Sequence, residues 1–171
     1  MERIDFENYL QRLPNLLKET NKTCIVSSQD TCILCGVDEF KNDYNLKTYN
    51  THNFGGIIIN FKEDICVGHY ETFGWNYGDN FLNSFKDYLI SKKLNATREG
   101  NDILVDGFKV ASYMSQNINS CIYTAIHISI GMELDMIKNI CLKPMVKTPK
   151  GLKDYGFTQK EIIEWVENAH C

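Results

Sequence analysis

Gly100-Asn-Asp-Ile-Leu-Val-Asp106-Gly107-Phe-Lys109-Val-Ala-Ser-Tyr113 is the stretch on which the fold turns. Ile103 to Val105 is a short β-branched and aliphatic run, and a second run begins at Phe108. Asp106-Gly107 between them supplies the positive φ of a tight hairpin turn, so the spacing predicts two antiparallel strands. Strict alternation places Lys109 on one face with Ala111 and Tyr113, with Phe108 and Val110 on the other. A lysine in that position reads either as a surface charge on an edge strand or as a functional cation.

Outward from the hairpin, residues 121–130 alternate, with Ile122, Thr124, Ile126, Ile128 and Ile130 opposed by Tyr123, Ala125, His127 and Ser129, which predicts a half-buried strand. Residues 79–93 carry Phe81, Leu82, Phe85, Tyr88 and Leu89 at helical period. Ile57 to Ile59 and Ile65 to Val67 flank the polar Lys62-Glu63-Asp64, and this arrangement predicts another hairpin. Two further strands are expected at 23–27 and 31–37, and a polar surface loop at 38–53. Phe6, Tyr9, Leu10, Leu13, Leu16 and Leu17 predict an amphipathic helix that Pro14 kinks or splits. A short helix is expected over 133–141 and a final one over 158–169, the latter opened by a Thr158-Gln-Lys-Glu161 capping box. Helices interspersed with strands in this order give an α+β fold: a mixed, largely antiparallel sheet flanked by helices.

The 171 residues carry 18 Lys and Arg against 22 Asp and Glu, a net charge of −4 that disfavours nucleic acid as a partner. No apolar run has the length of a membrane span, and Met1-Glu-Arg-Ile-Asp5 is not a secretory signal, so a cytoplasmic protein without a membrane partner is expected. The seven cysteines are odd in number and are expected as reduced thiols. Cys32 and Cys35 enclose Ile33 and Leu34, a pattern that reads as a buried strand rather than a zinc site.

Asn101-Asp102-Ile-Leu-Val-Asp-Gly-Phe-Lys109-Val-Ala-Ser resembles the signature of the biotin/lipoate protein ligase and octanoyltransferase superfamily: Asn-Asp before a strand, Gly-x-Lys-Val, then small residues. Asn53-Phe-Gly55-Gly56 resembles the family's glycine-rich loop, and Tyr123-Thr124 through Leu142-Lys-Pro144 resembles its following strand and short helix. The match runs over about residues 24–145 in a consistent order, and it is closest to the lipoate-protein ligases.

The resemblance implies a two-step acyl transfer, in which lipoate or a similar carboxylate forms an adenylate with ATP and an acceptor lysine then displaces AMP. It implies a catalytic role for Lys109 and acyl-substrate binding by His52, Gly55, Gly56, Val110, Ala111, Tyr123 and Thr124. Asn101 and Asp102 would meet the nucleotide, Asp102 would hold Mg²⁺, and the partner would be a lipoyl-type acceptor protein. Residues 1–171 read as a single catalytic domain of this kind, with no accessory C-terminal domain. The chain departs from the pattern where arginines and a serine precede three glycines, since it has Thr51-His52-Asn53-Phe54 and two glycines, and Val37 stands in place of another arginine. A catalytically impaired acyl-, nucleotide- or protein-binding module is therefore the alternative. An octanoyltransferase is a further one, with Met145 where that branch has its cysteine and Cys141 ahead of the proline.

Overall fold

A computed structural model describes residues 1–16, 22–36, 38–50, 56–72, 74, 76–118 and 120–169. A seven-stranded sheet forms from β1 (Glu2–Asp5), β2 (Lys22–Ser27), β6 (Ile65–Glu71), β7 (Ala96–Glu99), β8 (Asp102–Val105), β9 (Phe108–Ile118) and β10 (Cys121–Ile128), in the order β1-β2-β6-β10-β9-β8-β7. All its pairings are antiparallel except β1 with β2. A second sheet of three strands has the order β4-β3-β5, from β3 (Cys32–Cys35), β4 (Lys47–Asn50) and β5 (Ile57–Asn60). The helices are α1 (Phe6–Leu16), α2 (Tyr77–Ser91), α3 (Leu134–Ile140) and α4 (Gln159–Ala169). The fold is α+β, as the sequence predicts.

Three apolar clusters hold these layers together. Alternation along β10 sends Ile126 and Ile128 to one face, where they pack with α2 and α4 through Phe81, Phe85, Ile162 and Val166. Tyr123 and Ala125 go to the other face, with Phe6 and Tyr9 of α1. β10 is thus buried on both faces, not half-buried, because it is the central strand and each face has its own cover. The third cluster joins the small sheet to α3 through Ile33, Ile59 and Ile140.

Three local expectations are corrected. β5 and β6 do not pair as a hairpin but enter different sheets, and the turn between them is closed by Asp64. Its amide donates to the Phe61 carbonyl at 2.9 Å, and its Oδ2 accepts the Phe61 N–H at 3.1 Å. The expected 38–53 loop contains β4, which pairs parallel with β3. α1 runs through Pro14 to Leu16 without being split, and Leu17 lies outside the described residues.

Candidate functional site

A β-bulge aims Lys109. Ile103 pairs with Ala111 and Leu104 with Lys109, so Val110 is an extra residue opposite no partner. Val110 and Ala111 consequently both enter the core beneath α2, and Lys109 turns to the face that carries Asp102, Ser112 and His127. The alternation that placed Lys109 with Ala111 and Tyr113 is broken by that one inserted residue. Nor does Lys109 sit at an open edge: its N–H donates to the Thr148 carbonyl and its carbonyl accepts the Lys150 N–H, each at 2.9 Å.

The Lys109 side chain is 37% exposed, and Nζ lies 3.7 Å from Asp102 Oδ1. Lys147 donates to Asp102 Oδ2 at 2.8 Å, and that hydrogen bond holds the Lys147 ammonium above its ordinary pKa. The two lysines and Asp102 line a cavity of about 480 Å³. Its polar side continues with Ser112, His127 and Ser129, and its apolar side is built by Ile57, Ile59, Ile137 and Met145. A polar end that is net cationic beside an aliphatic wall suits an amphiphilic anion. Cys141 also lines this cavity, and burial with Asp38 nearby pushes its thiol up.

Of the residues expected at the site, the cavity brings together Lys109 and Asp102. Gly56 adjoins the wall residue Ile57, with φ at +96° and its carbonyl accepting the Gly36 N–H at 2.8 Å. That φ favours glycine, and a Cβ there would stand 3.3 Å from Asp38 Oδ2. Asn101 is exposed and meets the sheet through its carbonyl, which accepts the Tyr113 N–H at 3.0 Å. Val110 and Ala111 are core residues. Tyr123 is buried among tyrosines, where Tyr9 donates to its hydroxyl at 2.6 Å, and Thr124 is buried with its hydroxyl 2.7 Å from that of Ser115. None of these four lines the cavity, because the two strand faces they occupy are closed by α1 and α2. His52 and Gly55 lie outside the described residues.

His127 is a cavity residue that sequence reasoning missed, as Lys147 is. His127 was read only as a polar position in an alternating strand, and no motif spacing marks it. Asp102 is already met by two ammonium groups, and no cluster of three metal-ligating side chains occurs among the described residues. The position therefore fits Mg²⁺ poorly. A larger hollow of about 590 Å³ at the start of α1 is lined by Asp5, Glu7, Asp30 and Lys47. Its lysine is paired with Glu7 at 2.6 Å, which leaves that hollow acidic.

No protein-family model and no curated protein matches the sequence. Solved structures do. Lipoate-protein ligase A bound with ATP superposes with a TM-score of 0.73 at 12% identity, over 99% of this chain and 86% of that one. The bi-partite lipoate protein ligase of Thermoplasma acidophilum, described with its E2 lipoyl domain, gives 0.69 at 12%, over 99% and 84%. LipL1 of P. falciparum in complex with lipoate gives 0.68 at 15%, over 100% of this chain. The chain spans 61% of the length of LipL1. The protein thus has the biotin/lipoate ligase-like fold.

Proposed function

We propose that the chain is a lipoate-protein ligase-like acyltransferase, and the observation that carries the reading is the bulge that turns Lys109 into the cavity with Asp102 and Lys147. Lipoate, or an acyl acid like it, lays its chain along Ile57, Ile59 and Ile137 and presents its carboxylate to Lys109. In the first step a carboxylate oxygen bonds to the α-phosphorus of ATP, and the bond from that phosphorus to the bridging oxygen breaks to release pyrophosphate. Charge builds on the α-phosphate, and a fixed ammonium in a partly dry site stabilises it more than water does. Asp102 holds Lys147 and faces Lys109 across 3.7 Å, which keeps both cations in one place. In the second step the amine of an acceptor lysine on a lipoyl-type domain bonds to the acyl carbon and AMP departs.

The test is lipoate-dependent exchange of labelled pyrophosphate into ATP. Wild type should exchange, and Lys109→Ala should lower the rate about 100-fold at matched thermal stability, as removing one preorganised donor does elsewhere. Absence of exchange by wild type, with lipoate still bound, would replace this reading by the acyl-binding module.

Cys141 favours a second reading because it shares the cavity with Lys109. A thioester route needs its thiolate, and burial with Asp38 opposes that form. Cys141→Ser should accordingly keep both exchange and transfer. A hydroxylamine-labile acyl group trapped on wild type and lost in that variant would favour the thioester.

A further inference from the structure

The geometry points to His127 as the general base that deprotonates the acceptor amine, with Asp64 as the residue that positions it. This inference rests on the acyl-transfer reading of the same cavity. A lysine side chain arrives as an ammonium, which has no lone pair for attack, so the second step requires a proton acceptor within reach. Lys109 and Lys147 are cations, and Asp102 is occupied by both of them. His127 is the imidazole among the cavity residues, beside Ser112 and Ser129.

Its surroundings are built for taking up a proton. His127 is 9% exposed, and its Nε2 is buried without a hydrogen-bond partner, 3.3 Å from Asp64 Oδ2. Asp64 is itself fully buried, and its carboxylate accepts three backbone N–H groups: Phe61 at 3.1 Å, Ile130 at 2.7 Å and Gly131 at 3.1 Å. Oδ1 takes two of these and Oδ2 one, so the remaining acceptor direction of Oδ2 is left for His127. A neutral ring with its proton on Nε2 answers that carboxylate and keeps the Nδ1 lone pair as its free acceptor. When Nδ1 takes a proton, the imidazolium stands beside a carboxylate that cannot turn away, and the gap can tighten as charge develops.

The step balances as follows. The acceptor ammonium gives one proton to Nδ1 of His127, and the freed amine nitrogen bonds to the acyl carbonyl carbon. The bond from that carbon to the phosphate oxygen breaks, and its electron pair leaves on AMP. The nitrogen's second proton passes to water, and the imidazolium returns its own to solvent.

The experiment uses synthetic lipoyl-AMP, which bypasses activation, with Nα-acetyllysine amide as the amine probe. Wild type should accelerate amide formation, and His127→Gln and His127→Asn should each slow it about 100-fold. Hydroxylamine, which needs no base at neutral pH, should react at the same rate with all three proteins. The wild-type pH profile should show an ionisation that both variants lack. The titratable and charged groups around the ring are Asp64 from the turn, Cys66 paired across on β6, and Lys109, Asp102, Lys147 and Cys141 among the residues lining the same cavity. Burial raises the Cys66 and Cys141 thiols, which removes them as the source of a neutral-range ionisation. Wild-type amide formation no faster than in buffer, or variants as fast as wild type, would overturn the assignment. Amide formation without exchange would instead remove the activation half of the ligase reading and leave His127 as the base. If both His127 variants fail to fold, a wild-type profile without that ionisation refutes the base by itself.

Discussion

Lys109→Arg keeps the charge and changes its shape. A planar guanidinium needs a wider berth than a compact ammonium, and the space at Lys109 is bounded by Asp102 and the 148–150 segment. Pyrophosphate exchange by this variant should stay at least tenfold below wild type; full recovery would show that charge alone is needed. Glu71 is a second informative position. Its Oε1 is buried without a hydrogen-bond partner, and burial raises its pKa above the ordinary carboxylate value. A raised folded-state pKa means that its contribution to stability is present below the unfolded pKa and fades as pH rises through the folded value. Glu71→Gln should therefore stabilise the protein at pH 7, with the advantage shrinking as pH falls through the folded value and gone below about pH 4, read from urea midpoints at both pH values. The residue scale is also where the sequence was least legible. Lys109 and Asp102 were marked by motif, but a bulge changes no letter of the pattern, so the face Lys109 occupies could not be read from alternation. His127 acquires its meaning from Asp64, 63 positions away, and no local spacing encodes that meeting.

At the scale of elements, local signals succeeded where the partner lies close in the chain. The Asp106-Gly107 hairpin forms with both residues at positive φ. The capping box of α4 forms reciprocally: Thr158 N–H donates to Glu161 Oε2 at 2.9 Å, and Glu161 N–H donates to Thr158 Oγ1 at 3.2 Å. Thr158→Ala should cost about 1 kcal/mol in chemical denaturation, because it orphans an N–H in the first turn. They failed where the same turn chemistry serves two topologies. Lys62-Glu63-Asp64 closes a turn whether its flanking strands pair or part, and only the burial of Asp64 under Ile130 and Gly131 decides that they part. A related dependence appears at Gly68 on β6, where a Cβ would come within 2.6 Å of the Tyr9 hydroxyl. That hydroxyl bridges Tyr70 at 2.5 Å and Tyr123 at 2.6 Å, tying α1 to the central strands. Gly68→Ala should destabilise by about 1–3 kcal/mol through overpacking. Part of that loss should return in a Gly68→Ala/Tyr9→Phe double variant, and a fully additive pair would show that the two positions do not meet.

Across the whole molecule, Asp64 ties the two sheets by joining the Phe61 N–H after β5 to the Ile130 and Gly131 N–H groups beyond β10. Beside it, the Cys66 thiol donates to Asn60 Oδ1 at 3.8 Å, and Cys32 and Leu34 pack on Cys66 and Tyr123. The cavity depends on these ties, since Ile57 and Ile59 stand on the small sheet while Lys109, Ser112 and His127 stand on the large one. Asp64→Ala removes a buried acceptor from three N–H groups at once. Each buried donor left unsatisfied costs about 1–3 kcal/mol, although relaxation and water entry recover part of the sum. A loss of about 3–5 kcal/mol is therefore expected in urea. Asp64→Asn should lose less, because its amide keeps one oxygen acceptor. Hydrogen exchange locates the effect: the amides of Phe61, Ile130 and Gly131 should lose protection first, while those of α2 and α4, which pack on the opposite face, should change only with global stability. Uniform loss of protection would mean that Asp64 acts on the fold as a whole and does not join its two sheets. A stability loss below about 1 kcal/mol would mean that the three N–H groups find other partners. On the proposed reading, the same variant should bind lipoate more weakly even under conditions where it remains folded, because this carboxylate is one of the ties between the apolar wall and the sheet that carries Lys109.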